Sequence, residues 1–249
     1  MQVVSEIKEC IIIGGGKSIA DADQSALKVI LQDKFVIAVN YAFKYFPHTL
    51  LCFIDKKFYY STDNENPNIY EELRQEPLII GINHDTDKVK LPNTILLKEN
   101  GTYQREKAPH NGWYPDGLSG VFALTLSSYL MNYEGTIYLL GFDWSRRKDI
   151  PKRDDPNYNS KTSESIHFYS DIKHRGCGYV SYYENHNPDN MFKFFSNEPK
   201  LRIYNVSPNS NIENFEKINY PTMFNLMNTV GYNQNELRQL IISKLNSAI

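Results

Sequence analysis

Cysteine is scarce in this chain. Three occur in 249 residues, Cys10, Cys52 and Cys177, far apart and without a CxxC pair. That spacing argues against a secreted disulfide framework and against a cysteine zinc knuckle. Long apolar runs are missing as well. No stretch reaches the roughly 18 residues that a membrane-spanning helix requires, and the opening MQVVSEIKECIII is too short for a signal core. Neither sign of charge is in excess: 27 basic against 29 acidic side chains leave a net charge of -2. No global basic field therefore invites nucleic acid or an anionic membrane. An apolar fraction of 41% and a charged fraction of 22% exclude disorder or collagen-like repeats as a description of the whole chain. The expectation is a soluble, cytoplasmic protein long enough to bury a substantial core.

What is present is a succession of short apolar runs. Glu9–Ile13 ends in Gly14-Gly15-Gly16, and a polar stretch then leads into the helically spaced Ala26–Leu31. Phe35–Val39 ends in Asn40, Leu50–Ile54 in Asp55, and Pro77–Gly81 and Thr94–Leu97 follow. Gly135–Leu140 stops at Gly141-Phe142-Asp143-Trp144, and Leu201–Asn205 precedes the turn Ser207–Ser210. Runs this short, and apolar at nearly every position, are strands buried on both faces. With helical segments between them they predict an α/β chain built on a Rossmann-like, mainly parallel sheet. Ser119–Met131 reads as a buried helix with Ser119 as its N-cap, Asn190–Phe195 as a short helix, and Asn233–Ala248 as an amphipathic one. Ser145–Ser165 is polar, mixed in charge and carries two prolines. The pattern predicts one Rossmann-like domain over 1–249, with a lid insertion at 145–175 and a C-terminal helical segment at 220–249.

Glycines after a buried strand let backbone N–H groups approach a phosphate, so Gly14, Gly15, Gly16 and Ser18 are candidate nucleotide contacts. The turn is not a P-loop, because the first glycine of that motif falls at Ile11. Nor is it the dinucleotide fingerprint, whose last glycine falls at Ile19. Asn40, Asp55, Ser119 and Asp143 each end a strand or open a helix, which in open α/β sheets directs them to one crevice. Asn and Asp at such places also serve as plain caps and turns. His167, Asp171 and His174 have the i, i+4, i+7 spacing of a metal face, but the neighbouring Gly176-Cys177-Gly178 speaks against a helix there. A histidine beside a polar loop better suits a general base, whose ordinary pKa lies near neutrality.

The segments VIAVNYAFKYFP, CFIDKKFYY, LSGVFALTLSSYL, IYLLGFDWS, the histidine cluster and NVSPNS occur in a fixed order after the glycine turn. In that order the chain resembles the bacterial lipooligosaccharide sialyltransferases, the hydroxymethylpterin pyrophosphokinase-like family and the flagellin-modifying motility accessory factors. Small phage and prophage proteins share the pattern. The resemblance implies a sialyltransferase-like glycosyltransferase that takes a nucleotide-sugar donor and a hydroxyl acceptor such as a glycan, with no cofactor. It puts Gly14 to Ser18 against the nucleotide, Asn40 holding it, and Ser119 with Gly120 at the sugar or its phosphate. Ser207, Asn209 and Ser210 match the family's Pro-Asn-Ser turn. The chain departs from the sialyltransferases at Gly15 and Asp55, where they carry asparagines, and at Asp116, near one of their arginines. An ungapped match puts Asp171 at their catalytic histidine, which leaves His174 and His167 as candidates. The alternatives are an ATP- and Mg²⁺-dependent pyrophosphokinase-like enzyme, with Asp55 and Asp143 as metal carboxylates, and a phage-encoded nucleotide-binding protein without turnover. Self-association into a homo-oligomer stays open.

His174 is favoured as the base because the glycines beyond it allow close approach to a ligand. His174→Ala is expected to lower turnover about 10²–10⁴-fold with donor affinity little changed. His167→Ala is expected mainly to lower stability. Steady-state kinetics and melting of both variants check this, and the reverse pattern exchanges the two roles.

Overall fold

The computed structural model describes residues 6–54, 69–83, 91–98, 118–144 and 188–247. Eight strands form one sheet: β1 (Glu9–Ile13), β2 (Val36–Val39), β3 (Leu50–Phe53), β4 (Ile79–Asn83), β5 (Thr94–Lys98), β6 (Gly135–Leu140), β7 (Leu201–Asn205) and β8 (Glu216–Lys217). Their spatial order is β5-β4-β3-β2-β1-β6-β7-β8, and every pairing is parallel. The order reverses between β1 and β6, which sets the topological switch point of the sheet there.

Strands β1, β2 and β3 are buried at every position. That is the physical reason their sequences are continuous apolar runs rather than alternating ones. Successive side chains still point to opposite faces. Cys10, Ile12, Ile37, Val39, Cys52 and Leu139 belong to one core layer, whereas Ile11, Ile13, Val36, Ala38, Leu51 and Leu140 belong to the other. Helices cover both. The first layer receives α3 (Ser119–Leu130), α4 (Pro188–Ser196) and α6 (Gln234–Asn246), through residues such as Phe122, Phe192 and Ile241. The second receives α1 (Gln24–Leu31), α2 (Ile69–Arg74) and α5 (Tyr220–Leu226), through Leu27, Leu73 and Met223. Among the described residues no helix is long and apolar enough to cross a membrane.

Local chemistry explains the ends. Asp23 caps α1 by accepting from the N–H groups of Ser25 and Ala26, and Asn233 caps α6 the same way at Asn235 and Glu236. Strand β4 begins two residues later than the Pro77–Gly81 expectation. Pro77 has no N–H to give, and the Ile79 N–H is the one that bonds across to Asn93. The N-cap of α3 is Leu118, not Ser119. Ser119 is buried in the first turn, and its hydroxyl oxygen accepts from the Ile54 N–H at 3.3 Å instead of capping its own helix. Within α3, Thr125, Ser127 and Ser128 are buried among apolar neighbours. They tolerate this by donating to the carbonyls of Val121 and Leu124 at 2.7–3.0 Å. Within the described part of the expected 220–249 segment there are two helices, α5 and α6, separated by Met227–Asn233.

The joint between those helices is clasped to the amino-terminal end of the sheet. The buried Lys34 ammonium donates to the carbonyls of Asn228 at 2.8 Å and Val230 at 3.0 Å, while Glu9 accepts from the Asn228 N–H at 2.9 Å. Arg238 of α6 donates to the Thr49 carbonyl at 2.9 Å. Replacing the ammonium by an apolar group takes a charged donor from two carbonyls of the joint. Lys34→Met is therefore expected to cost about 1–3 kcal/mol, read as a lower urea midpoint at unchanged slope. An unmoved midpoint means the clasp is not made in solution.

Candidate functional site

The switch point brings the carboxyl ends of β1 and β6 side by side, and the two ends are stitched together. Gly14 N–H donates to the Leu140 carbonyl at 2.8 Å and Gly16 N–H to the Gly141 carbonyl at 2.9 Å. The glycines make this approach possible. A Cβ on Gly14 would stand 2.9 Å from the Gly141 oxygen, and one on Gly16 would stand 2.6 Å from both that oxygen and the Asp143 carboxylate. Gly141 has a φ of +70°, in the left-handed region that favours glycine. Gly14 and Gly16 are thus required by contacts inside the protein, whatever ligand meets the turn. Gly15 is half-buried between them.

Asp143 is the node. One carboxylate oxygen accepts from the Ser18 N–H at 2.9 Å; the other accepts from the Ser207 hydroxyl at 2.7 Å and from the Ser18 hydroxyl. Its own carbonyl accepts from the Asn211 N–H at 2.9 Å. Three donors on one carboxylate join the glycine turn after β1 to the turn after β7. Phe142 does the same with packing, since a Cβ on Gly14 or on Gly120 of α3 would fall 3.0–3.2 Å from its ring. Ser210 is buried and donates to the Phe142 carbonyl at 2.7 Å, while Asn205 gives its amide hydrogens to that carbonyl and to Ser210. Asn209 is exposed on the same turn.

Unsatisfied polar atoms gather at this end of the sheet. Asn40 follows β2 with a φ of 53°, a conformation that asparagine tolerates better than most residues, and its side-chain oxygen is buried without a hydrogen-bond partner among the described residues. The Asn205 side-chain oxygen and the Tyr220 hydroxyl are buried and unpartnered too. Native structures leave few such groups, and each asks for an explanation. Trp144, next to the node, holds a φ of 45°, an outlier for so bulky a residue. Two open grooves of about 420 and 410 Å³ lie elsewhere. One is lined by Leu78, Thr94 and Arg238, the other by Phe195, Arg202 and Phe215, and neither borders Asn40 or Asp143.

Of the residues picked out by sequence, Gly14, Gly15, Gly16, Ser18, Asp143, Ser207 and Ser210 form one connected cluster at the carboxyl ends of β1, β6 and β7. Asn40 ends the adjacent β2. Ser119 and Gly120 join from α3 through Ile54 and Phe142. Asp55, Asp116, His167, Asp171, His174 and the 145–175 insertion lie outside the described residues. Asn205, Phe142 and Tyr220 escaped the sequence reading. The first two sit in or beside apolar runs, and Tyr220 lacks any neighbouring motif.

If Asp143 is the node, Ser18 and Asp143 must be energetically coupled. Asp143→Ala is expected to cost about 2–4 kcal/mol because three donors lose one acceptor. The Ser18→Ala, Asp143→Ala double-mutant cycle is expected to show about 1 kcal/mol or more of coupling in urea unfolding. Strict additivity would mean that the two side chains do not bond in solution.

No protein-family model matches the chain, and no curated protein matches it by sequence. Solved structures do match by fold. The MAf glycosyltransferase from Magnetospirillum magneticum AMB-1 superposes with a TM-score of 0.57 at 14% identity, covering 100% of this chain and 38% of that one. Two structures of the sialyltransferase CstII from Campylobacter jejuni, with the substrate analogue CMP-3FNeuAc and with cytidine-5'-monophosphate, give lower TM-scores of 0.47 and 0.49. Their identities are 18% and 16%; they cover 85% and 98% of this chain, and 86% and 100% of theirs. At such identities the likeness is one of fold, in line with the resemblance read from the sequence. The chain shares the Rossmann-like α/β fold of the MAf glycosyltransferase and spans 38% of that chain's length.

Proposed function

We propose that the chain is a nucleotide-dependent transferase, a glycosyltransferase moving a sugar from a nucleotide donor to a hydroxyl acceptor such as a glycan. The observation that carries this reading is Asn40. A left-handed asparagine whose buried oxygen has no partner among the described residues stands at the carboxyl end of β2, one strand from the glycine turn at the switch point. Sheets of this kind take their ligands there. An orphan acceptor calls for a donor, and a ribose hydroxyl or an exocyclic base amine supplies one. The N–H groups of Gly14, Gly16 and Ser18 are taken inside the protein, which leaves the half-buried Gly15 between them to meet the phosphate. The acceptor proton goes to His174, or to His167, on the sequence argument alone.

The pyrophosphokinase-like alternative gains nothing from Asp143. Its carboxylate already accepts from three donors, so a Mg²⁺ ion would have to break that node to use it.

A thermal-shift screen against CMP, UDP, GDP and ATP, each with and without Mg²⁺, tests the reading. A nucleotide at about 100 times its Kd adds about 2.7 kcal/mol of stability, a readable rise. The expected result is a shift with CMP or UDP in the absence of metal, lost in Asn40→Gly. That variant keeps the left-handed backbone at no steric cost and removes only the amide. A response to ATP only with Mg²⁺ supports the kinase instead, and no response at all supports a protein without this activity.

A further inference from the structure

The carboxyl-end cluster contains one hydroxyl that neither the Asn40 contact nor the Asp143 node uses. Tyr220 is 6% exposed and opens α5, three residues beyond the Asn205–Lys217 pair of β7 and β8. Its ring packs in the second core layer, with the Phe224 ring centroid 6.3 Å away. Its hydroxyl is buried and has no hydrogen-bond partner among the described residues. Phenylalanine would serve the packing equally well and would avoid burying an unpaired polar atom. The oxygen is closed to bulk water, and a group entering the crevice would supply the partner that the fold does not.

The surroundings restrict that partner. Asp143 and Asp21 are the charged groups that act on the phenol. Burial raises its pKa far above the usual range, and the two carboxylates raise it further. The hydroxyl is therefore a neutral donor at physiological pH. Asp143 and Asp21 flank the glycine turn as well, so it is the place of Tyr220 beyond β8, on the far side of β6 and β7 from that turn, that points to a group past the phosphate, a neutral hydroxyl accepting from the phenol. Asn40 ends β2 and Asn205 ends β7, three strand spacings apart, roughly 14 Å. That span suits an extended sugar nucleotide lying across the ends of β1 and β6.

We propose that Tyr220 is a specificity-determining contact of the crevice, donating its hydroxyl hydrogen to a neutral hydroxyl oxygen on the sugar of the nucleotide donor. This rests on the transferase reading and adds an orientation to it: nucleotide toward β2, sugar toward β7 and β8. Tyr220→Phe keeps the ring and removes one oxygen. Free of ligand, the variant melts at the wild-type temperature or above it, because the fold makes no use of that hydroxyl. In calorimetric titrations its affinity for CMP and UDP is unchanged, while its affinity for CMP-3FNeuAc or UDP-glucose falls about five- to tenfold, the loss of one neutral hydrogen bond. A lowered melting temperature overturns the proposal, since the hydroxyl then serves the fold. Equal losses for nucleotide and sugar nucleotide overturn the orientation, and undiminished sugar-nucleotide binding overturns the contact. A wild-type protein that binds none of the four probes overturns the transferase reading and this inference with it.

Discussion

The carboxyl end of this sheet depends on the Asp143 carboxylate and the two backbone bonds beside it. Parallel strands bring β1 and β6 together, but pairing alone does not decide where the chain goes once each strand has ended. Gly14 and Gly16 donate their N–H groups onto the end of β6, and Asp143 then holds Ser18 and Ser207. A buried or half-buried carboxylate with three donors is fully committed, so the turns after β1 and β7 move as a unit or not at all. The three glycines Gly14, Gly16 and Gly120 leave room for this arrangement, because Phe142 and Asp143 occupy the space their side chains would need.

The two ends of the sheet are provided for differently. At the amino-terminal end, Lys34, Glu9, Thr49 and Arg238 bind the C-terminal helices to the strands, and the carbonyls of Asn228, Val230 and Thr49 have charged donors. At the carboxyl-terminal end, Asn40, Asn205 and Tyr220 each keep a buried polar atom without a partner. Buried polar groups left open are few in native proteins, and here three of them share one end of the sheet. A positive φ at Asn40 and another at Trp144 belong to the same end, where strain is held by neighbours that over-determine the backbone.

Much of the architecture was legible because burial on both faces leaves a plain mark. Ile11, Ile12 and Ile13, or Val36 to Val39, are apolar without alternation, and only strands inside a covered parallel sheet need that. Short polar elements left no such mark. Strand β8 is Glu216–Lys217, two charged residues, and it pairs because β7 presents an open edge to it. Ser119 looked like a cap because serine before an apolar run usually is one. Its hydroxyl instead meets an N–H from β3, 65 positions away in sequence.

Sequence alone determined the α/β class, the succession of buried strands, and the placing of Gly14–Gly16, Asn40, Asp143 and Ser207 at strand ends. Periodicity and turn chemistry are local, and they survive without knowledge of what packs on what. Tertiary structure alone decided that the order of strands reverses between β1 and β6, that Asp143 faces Ser18 and Ser207, and that Tyr220 sits beside that node without a partner. Those facts depend on which distant side chains meet and which lone pairs are already taken. Hydrogen bonding saturates, so whether a group is free for a ligand is settled only when every neighbour around it is in place.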